Sequence, residues 1–337
     1  MHTHTRMQVI DQADRVVRLV QENLPLGAQF RVAGTVWDLR SNSVEVIRAM
    51  EETFDRVDSE RKKGDLLLRF NVDLSFPDAP RWTTPHFRAL EHLYYATYGP
   101  HDSMLVDQVG RRVIGSFSPA LAGDLPYWKQ TILPALLGIV SASIGVTPVH
   151  CACVVNGESG LLLAGESGAG KSTSALSLSL HGFSYLSDDC TYLSRSGRGI
   201  EAWGLPTPVK LLPDAVRHFP ELASLKPAST LNGELALTVN PTEIFNVERC
   251  LRCEPRWLVF LERGERTGSK PVIRPMSSSE AAARLAVDLE EMPDRLSEQY
   301  EAQLETIGLL VKRECWVVQH GLKPALLAPL LSEICAA

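Results

Sequence analysis

Residues 165–172 read Gly-Glu-Ser-Gly-Ala-Gly-Lys-Ser, with glycine, glycine, lysine and serine at the fixed positions of the phosphate-binding pattern Gly-x-x-x-x-Gly-Lys-[Ser/Thr]. Glycines let the backbone turn inward so that its N–H groups face phosphate oxygens, and a helix that follows adds the positive end of its dipole. Such a cradle takes in Gly165, Glu166, Ser167, Gly168, Ala169, Gly170, Lys171, Ser172 and Thr173. Lys171 would lie over the β- and γ-phosphates of ATP or GTP. Ser172 would offer its hydroxyl to Mg²⁺, which keeps most of its waters and shares oxygen ligands between protein and phosphates. The flanks agree: Leu161-Leu162-Leu163-Ala164 reads as a buried strand, and residues 173–180 as a short helix stopped by Gly182.

A second group of residues follows that helix. Asp188 and Asp189 close a strand expected over residues 183–186. Phosphoryl transfer needs charge neutralisation, a metal, and a carboxylate that accepts or orients the proton of the attacking hydroxyl. An Asp-Asp pair alone reads as a strand-end turn; beside a phosphate loop it supplies the last two needs, and neighbouring strand residues point opposite ways, so the two carboxylates divide the work. His150 stands at a strand end and is open between a satisfied structural histidine and an imidazole close enough to the loop to sense phosphate. Glu201 is open between a second metal-side carboxylate and a surface charge, and Lys210 between a phosphate contact and a surface charge.

The elements that must position these residues are legible from periodicity and turn chemistry. Residues 149–155 and 160–164 flank Asn156-Gly157, a strong hairpin signal, so the strand entering the loop is expected to be the second arm of an antiparallel hairpin rather than one reached by a crossover. Further strands are expected over 200–203, 209–212, 257–261 and 315–318, with helix over 279–305 and from Lys323. Upstream, 11–23 reads as an amphipathic helix and 30–39 as a strand. Ser41-Asn42-Ser43 caps a helix with Val44, Val46, Ile47, Met50 and Phe54 on one face, a strand covers 65–72, and 77–85 is a proline-rich loop. A hairpin joins 104–109 to 112–117, and 126–144 is a long helix expected to pack on the second domain. The division is a small N-terminal α/β domain, 1–110, for substrate or partner recognition, and a nucleotide-binding catalytic domain, 111–337.

Composition bounds the rest. The 337 residues are 45% hydrophobic and 22% charged, enough for two packed domains. A net charge of −6 offers no broad basic face, so nucleic acid is not an expected partner. The apolar stretch 132–146 is short for a membrane span and holds Pro134, Ser141 and Ser143, so no membrane partner is expected. The N-terminus, with His2 and His4 in a polar tail, lacks a secretory pattern, and seven scattered cysteines suit a reducing compartment; a cytoplasmic location is expected. Cys250-x-x-Cys253 lacks a second pair at zinc-site spacing, and Cys151 and Cys153 alternate on a strand, so all read as small thiols. Homo-oligomerisation is left open.

The run Val149-His150-Cys151-Ala152-Cys153-Val154-Val155, the hairpin, the loop 165–172 and Asp188-Asp189 resemble the catalytic domain of the HPr kinase/phosphorylase family, which shares its P-loop arrangement with bacterial PEP carboxykinases. The resemblance covers roughly residues 125–335. It implies an α/β fold with a PEP carboxykinase/HPr kinase-like P-loop core and a mixed sheet. His150 matches the family's active-site histidine, Lys171 and the loop its P-loop, and the Asp pair its paired aspartates. Glu201 with Gly204-Leu205 matches the start of its Glu-x-x-Gly-Leu signature. By resemblance Asp188 is the base or water-orienting group, and Mg²⁺ falls to Ser172, Asp189 and Glu201.

Two departures bear on the substrate. Trp203 stands where the family signature carries an arginine, and no Phe-Gly-Ala-Gly-Ala-Val-Arg-like segment follows. The resemblance therefore implies an ATP-dependent (or GTP-dependent), Mg²⁺-assisted kinase acting on a hydroxyl, a serine of a peptide or small protein other than HPr, without phosphate-driven reversal. Its rivals are a nucleotide-gated binding module with incidental hydrolysis and a small-molecule kinase of carboxykinase type; the carboxykinase type needs extra arginines and a transition-metal site that the sequence does not display.

Overall fold

The computed structural model describes residues 24–57, 63–77, 84–197, 199–230, 233–264, 271–289, 292–321 and 324–336. The helix expected over 11–23, His2 and His4 lie outside them. The chain is a mixed α/β protein that separates into two compact units. One runs to Ile144 and takes in Met292–Gln299; the other comprises Gly145–Glu291 and Tyr300–Ala337.

The first unit is built on an eight-stranded sheet. Its strands are β1 (Leu26–Val32), β2 (Thr35–Ser41), β3 (Asp55–Arg56), β4 (Leu66–Val72), β5 (His86–Leu90), β6 (Leu93–Thr97), β7 (Ser103–Asp107) and β8 (Arg112–Phe117), in the order β3-β1-β2-β4-β8-β7-β6-β5. β2, β4 and β8 run parallel and the remaining pairs antiparallel. The single strand expected over 30–39 is a hairpin: Ala33 (φ 46°) and Gly34 (φ 82°) both take left-handed backbone and reverse the chain. Helix α1 (Val44–Glu51) buries Val46 and Met50 of the stripe read from the sequence, together with Ala49, while Ile47 is half-buried and Val44 exposed.

The long helix expected over 126–144 is instead broken. Short turns at Pro119–Ala122 and Leu125–Tyr127 and a π-turn at Trp128–Ile132 precede α2 (Leu133–Val140) and a 3₁₀ turn at Ala142–Ile144. Prolines 119, 126 and 134 each start a piece, since a proline lacks the N–H that helix interiors need, and the Ser118 and Asp124 side chains cap the first two. This run and the β7–β8 hairpin both belong to the first unit, so the division falls at 144/145 rather than at 110/111. Trp128 packs 5.8 Å from the Phe70 ring and 5.1 Å from Phe117, pinning the run to β4 and β8.

The second unit contains β9 (Val146–Val149), β10 (Ala152–Asn156), β11 (Ser159–Ala164), α3 (Lys171–Ser179), β12 (Ser184–Ser187), β13 (Thr191–Ser196) and β14 (Gly199–Trp203). β15 (Val209–Leu211), β16 (Ala228–Ser229) and β17 (Leu235–Val239) form a small separate sheet. β18 (Arg252–Arg263), β19 (Val272–Pro275), α4 (Ser278–Ala286), the part of α5 (Ser297–Leu310) from Tyr300 onward, β20 (Glu314–His320) and α6 (Pro324–Ala336) complete it. The main sheet is ordered β12-β10-β11-β18-β14-β13-β9, with β20 also on β18 and β19 on β20. It is mixed: β10–β11 is the expected antiparallel hairpin, turned by Gly157 (φ 63°), yet the other edge of β11 runs parallel to β18.

Both faces of the sheet are buried, which is why its strands read as near-continuous apolar runs. Leu161, Leu163, Val259 and Leu261 face α3 and α6 through Leu176, Leu178, Leu327 and Leu331. The alternate residues Leu162, Ala164, Leu258 and Phe260 meet Leu285, Ile307 and Leu310 of α4 and α5. The helix expected over 279–305 is two helices separated by a 3₁₀ turn at Asp294–Leu296, after Pro293.

Replacing Trp128 by alanine is expected to destabilise the first unit by about 3–5 kcal/mol, the usual loss for a large core aromatic. Urea unfolding followed by fluorescence and circular dichroism checks this; a loss below about 1 kcal/mol would show that the Phe70–Trp128–Phe117 cluster does not hold the helical run.

Candidate functional site

The loop 165–170 leaves the end of β11 and enters α3. Gly165 (φ 140°), Gly168 (φ 78°) and Gly170 (φ 98°) all adopt backbone that L side chains rarely take. At Gly165 the reason is also steric: a Cβ would stand 2.4 Å from the Leu261 carbonyl oxygen of β18, so the loop can lean on that strand only as glycine. Lys171, the first residue of α3, is buried, and its ammonium donates to the carbonyl oxygens of Gly165 (2.7 Å) and Glu166 (3.3 Å). The loop is therefore wrapped around its own lysine. Gly170 caps α3 in left-handed conformation, and the leading N–H groups of the helix have no acceptor one turn back.

Asp188 follows β12 directly. Its Oδ2 accepts the backbone N–H of Lys210 on β15 at 3.0 Å, while Oδ1 is buried without a hydrogen-bond partner among the described residues. Burial is the main cause that pushes its carboxyl up to about 6; the nearby Ser172 hydroxyl and the Lys210 N–H act against it, and the Asp189 charge adds to it. The side chain brought to Ser172 is thus Asp188. Asp189 is exposed and turns the other way, with Oδ1 3.3 Å from His150 Nδ1.

His150 lies in neither β9 nor β10. The strand expected over 149–155 is interrupted at His150-Cys151, where the Cys151 N–H donates to the Val149 carbonyl (2.8 Å) in a three-residue turn. Two buried hydroxyls lock this break to the Asp pair: Thr191 Oγ1 donates to the Cys151 carbonyl (2.9 Å) and lies 2.6 Å from Ser187 Oγ. Nothing periodic in the sequence marks Ser187 or Thr191 as anything but strand residues. Arg249 is a third unforeseen residue. Its guanidinium donates to the carbonyls of Leu205 (2.6 Å) and Thr207 (2.9 Å), and so holds the loop that leads from β14 to β15 and to the Lys210 N–H.

Other expected residues lie elsewhere. Glu201 pairs with Ser194 in the middle of β13, whereas Asp189 and His150 lie at the start of that strand, where Thr191 pairs with Val149. Register thus sets Glu201 several residues along β13 from the Asp189–His150 pair. Among the described residues no cluster of three or more His, Cys, Asp or Glu side chains is arranged to hold a metal ion. The Lys210 side chain is exposed, and the residue reaches Asp188 through its backbone. Trp203 is a core residue: its indole N–H donates to Ser194 Oγ (2.9 Å), and the Arg252 guanidinium lies 5.6 Å from its ring centre. Cys253 meets Cys153 at 3.9 Å rather than Cys250, and that contact, with burial, holds the Cys153 thiol well above the ordinary range. Among the described residues no helix is long and apolar enough to cross a membrane.

No family model matches the chain, and no curated protein matches it. Among solved structures it is similar to the HPr(Ser) kinase/phosphatase from Coxiella burnetii, at 12% identity and a TM-score of 0.31, over 56% of this chain and 91% of that one. A likeness at this level carries no residue roles.

Because burial raises the Asp188 carboxyl to about 6 in the folded protein, the native state binds more protons than the unfolded chain between about pH 4 and pH 6. This group's contribution to stability is present below about pH 4 and lost as pH rises through 6. Asp188→Asn, which cannot ionise, is expected to raise the melting temperature at pH 8 and to lose that advantage near pH 4. Equal melting temperatures for parent and variant at pH 8 would contradict the buried carboxylate.

Proposed function

We propose that the second unit is an HPr kinase-like P-loop core that transfers the terminal phosphate of ATP or GTP to a hydroxyl, a serine of a peptide or small protein other than HPr. The observation that carries the reading is the juxtaposition of Ser172, at the head of a helix entered through a lysine-wrapping glycine loop, with the Asp188 carboxyl, which burial pushes up to about 6. Backbone N–H groups and an ammonium suit phosphates. A carboxyl of raised basicity suits removal of the acceptor's proton, since general bases work best near the operating pH.

In this reading the loop 165–173 binds the phosphates and Lys171 exchanges its carbonyl partners for β- and γ-phosphate oxygens. Oδ2 of Asp188 is held by the Lys210 N–H, leaving Oδ1 to take the hydroxyl proton as that oxygen attacks phosphorus in line and the nucleoside diphosphate leaves. The oxygen donors here fit Mg²⁺: the Ser172 hydroxyl would hold it, with Asp188 reached through its waters, and it would neutralise charge on the phosphates. The Asp189–His150 pair is open to solvent, so an acceptor could reach it. The packed state of Trp203, in place of an arginine, supports a hydroxyl other than that of HPr and kinase direction only, because an anion taken from water without paired cations is costly.

The test separates binding from chemistry. Lys171→Ala is expected to weaken Mg²⁺-nucleotide binding at least about tenfold by calorimetry, on the scale of losing a charge-assisted contact. Asp188→Asn should bind nucleotide within a few-fold of the parent, yet transfer phosphate to a serine acceptor, or hydrolyse ATP, about 10²-fold more slowly. Unchanged affinity in the first variant would refute the loop's role, and an undiminished rate in the second would remove Asp188 from the chemistry.

A further inference from the structure

We propose that His320 is a positioning residue for the phosphate loop: by holding the Ala169 carbonyl outward it aims the Gly170 N–H into the cradle. The inference rests on the nucleotide-binding reading above and adds to it a residue distant in sequence, outside every motif the sequence displays.

His320 is the last residue of β20 and is buried. Its backbone is fixed twice over, by the pairing of β20 with β18 that sets it opposite Arg263, and by the Gly264 N–H donating to its carbonyl (2.8 Å). Its ring Nε2 lies 3.3 Å from the Ala169 carbonyl oxygen. A carbonyl oxygen only accepts, so Nε2 is the donor, and the ring carries its hydrogen there. The same loop leans on β18 at Gly165, against Leu261. The loop therefore has supports from two neighbouring parallel strands, at Gly165 and at Ala169.

The consequence follows from the planarity of the peptide group. In a trans peptide the C=O and the next residue's N–H point in opposite directions, so fixing the Ala169 oxygen also fixes the Gly170 N–H. Gly165 and Glu166 have their carbonyls engaged by the Lys171 ammonium, and the Ala169 N–H donates to the Glu166 carbonyl (3.1 Å). A ligand phosphate that draws Lys171 away releases the Gly165 and Glu166 oxygens. The Ala169 carbonyl, held from outside, stays in place, and the Gly170 N–H is oriented before and after binding. A donor aligned in advance binds more tightly than one that must be ordered by the ligand.

The test uses the full chain, Mg²⁺ and ATP in calorimetry, with three variants checked for folding by circular dichroism and thermal melting. Glutamine sets an amide N–H where the imidazole Nε2–H lies, asparagine stops short of it, and phenylalanine fills the space without a donor. His320→Gln is expected to bind within about twofold of the parent, and His320→Asn and His320→Phe about five- to tenfold more weakly, the scale of one buried hydrogen bond. If His320→Phe fails to fold, the Gln and Asn pair decides. Asparagine binding as tightly as the parent, or glutamine as weakly as asparagine, overturns the positioning role while the nucleotide reading stands. A parent chain that binds no nucleotide overturns both.

Discussion

Strand β18 is the constraint on which the second unit depends. It is the longest strand there, and its two halves have different partners: near Arg252 and Cys253 it pairs antiparallel with β14, and from Trp257 onward it lies parallel between β11 and β20. One rigid element thereby fixes both halves of the candidate site. Through β11 it sets where the glycine loop begins, and its Leu261 carbonyl leaves room for nothing but hydrogen at Gly165. Through β14, and then β13 and β9, it sets where the Asp pair and the break at His150 lie.

Given that frame, the site is a set of backbone groups held by buried polar side chains. Thr191 ties the 150–151 break to β13, Arg249 ties the loop after β14, and the Lys210 N–H ties Asp188. The neutral Thr191 bond is worth about 1 kcal/mol net and the two that involve a charged group about 1.5–3 kcal/mol, and each fixes the direction of a group with chemical capacity. The cost falls on Asp188, whose burial disfavours its charge, with one oxygen lacking a hydrogen-bond partner among the described residues. Stability given up at a carboxylate of raised basicity is a common mark of a functional position, since a core optimised for stability alone would not retain it.

The loop 165–172, the hairpin before it and the Asp pair were legible in the sequence because their information is local: glycines where φ is positive, Asn-Gly between apolar runs, carboxylates at a strand end. What was illegible depends on contacts between residues far apart. No spacing in the chain says that β18 would run parallel to β11, that His150 would fall in a break rather than a strand, or that Glu201 would pair with Ser194 in the middle of β13. In the first unit the hairpin hidden in residues 30–39 turned on Ala33-Gly34, a weaker signal than Asn-Gly. The helix expected over 126–144 failed because Pro126 and Pro134 each begin a new piece, although the apolar content of the segment was read correctly.

The central claim is that a nucleotide's phosphates are held by the glycine loop and the head of α3. Hydrogen exchange read by mass spectrometry, with and without Mg²⁺ and ADP, tests it most directly, because these backbone amides would be the donors. The account predicts slowed exchange for amides within residues 165–175 on adding Mg²⁺ and ADP, and no comparable slowing in β1 to β8 of the first unit. Unchanged exchange in 165–175 at a nucleotide concentration that protects another segment would contradict it, and would place the nucleotide site elsewhere in the chain.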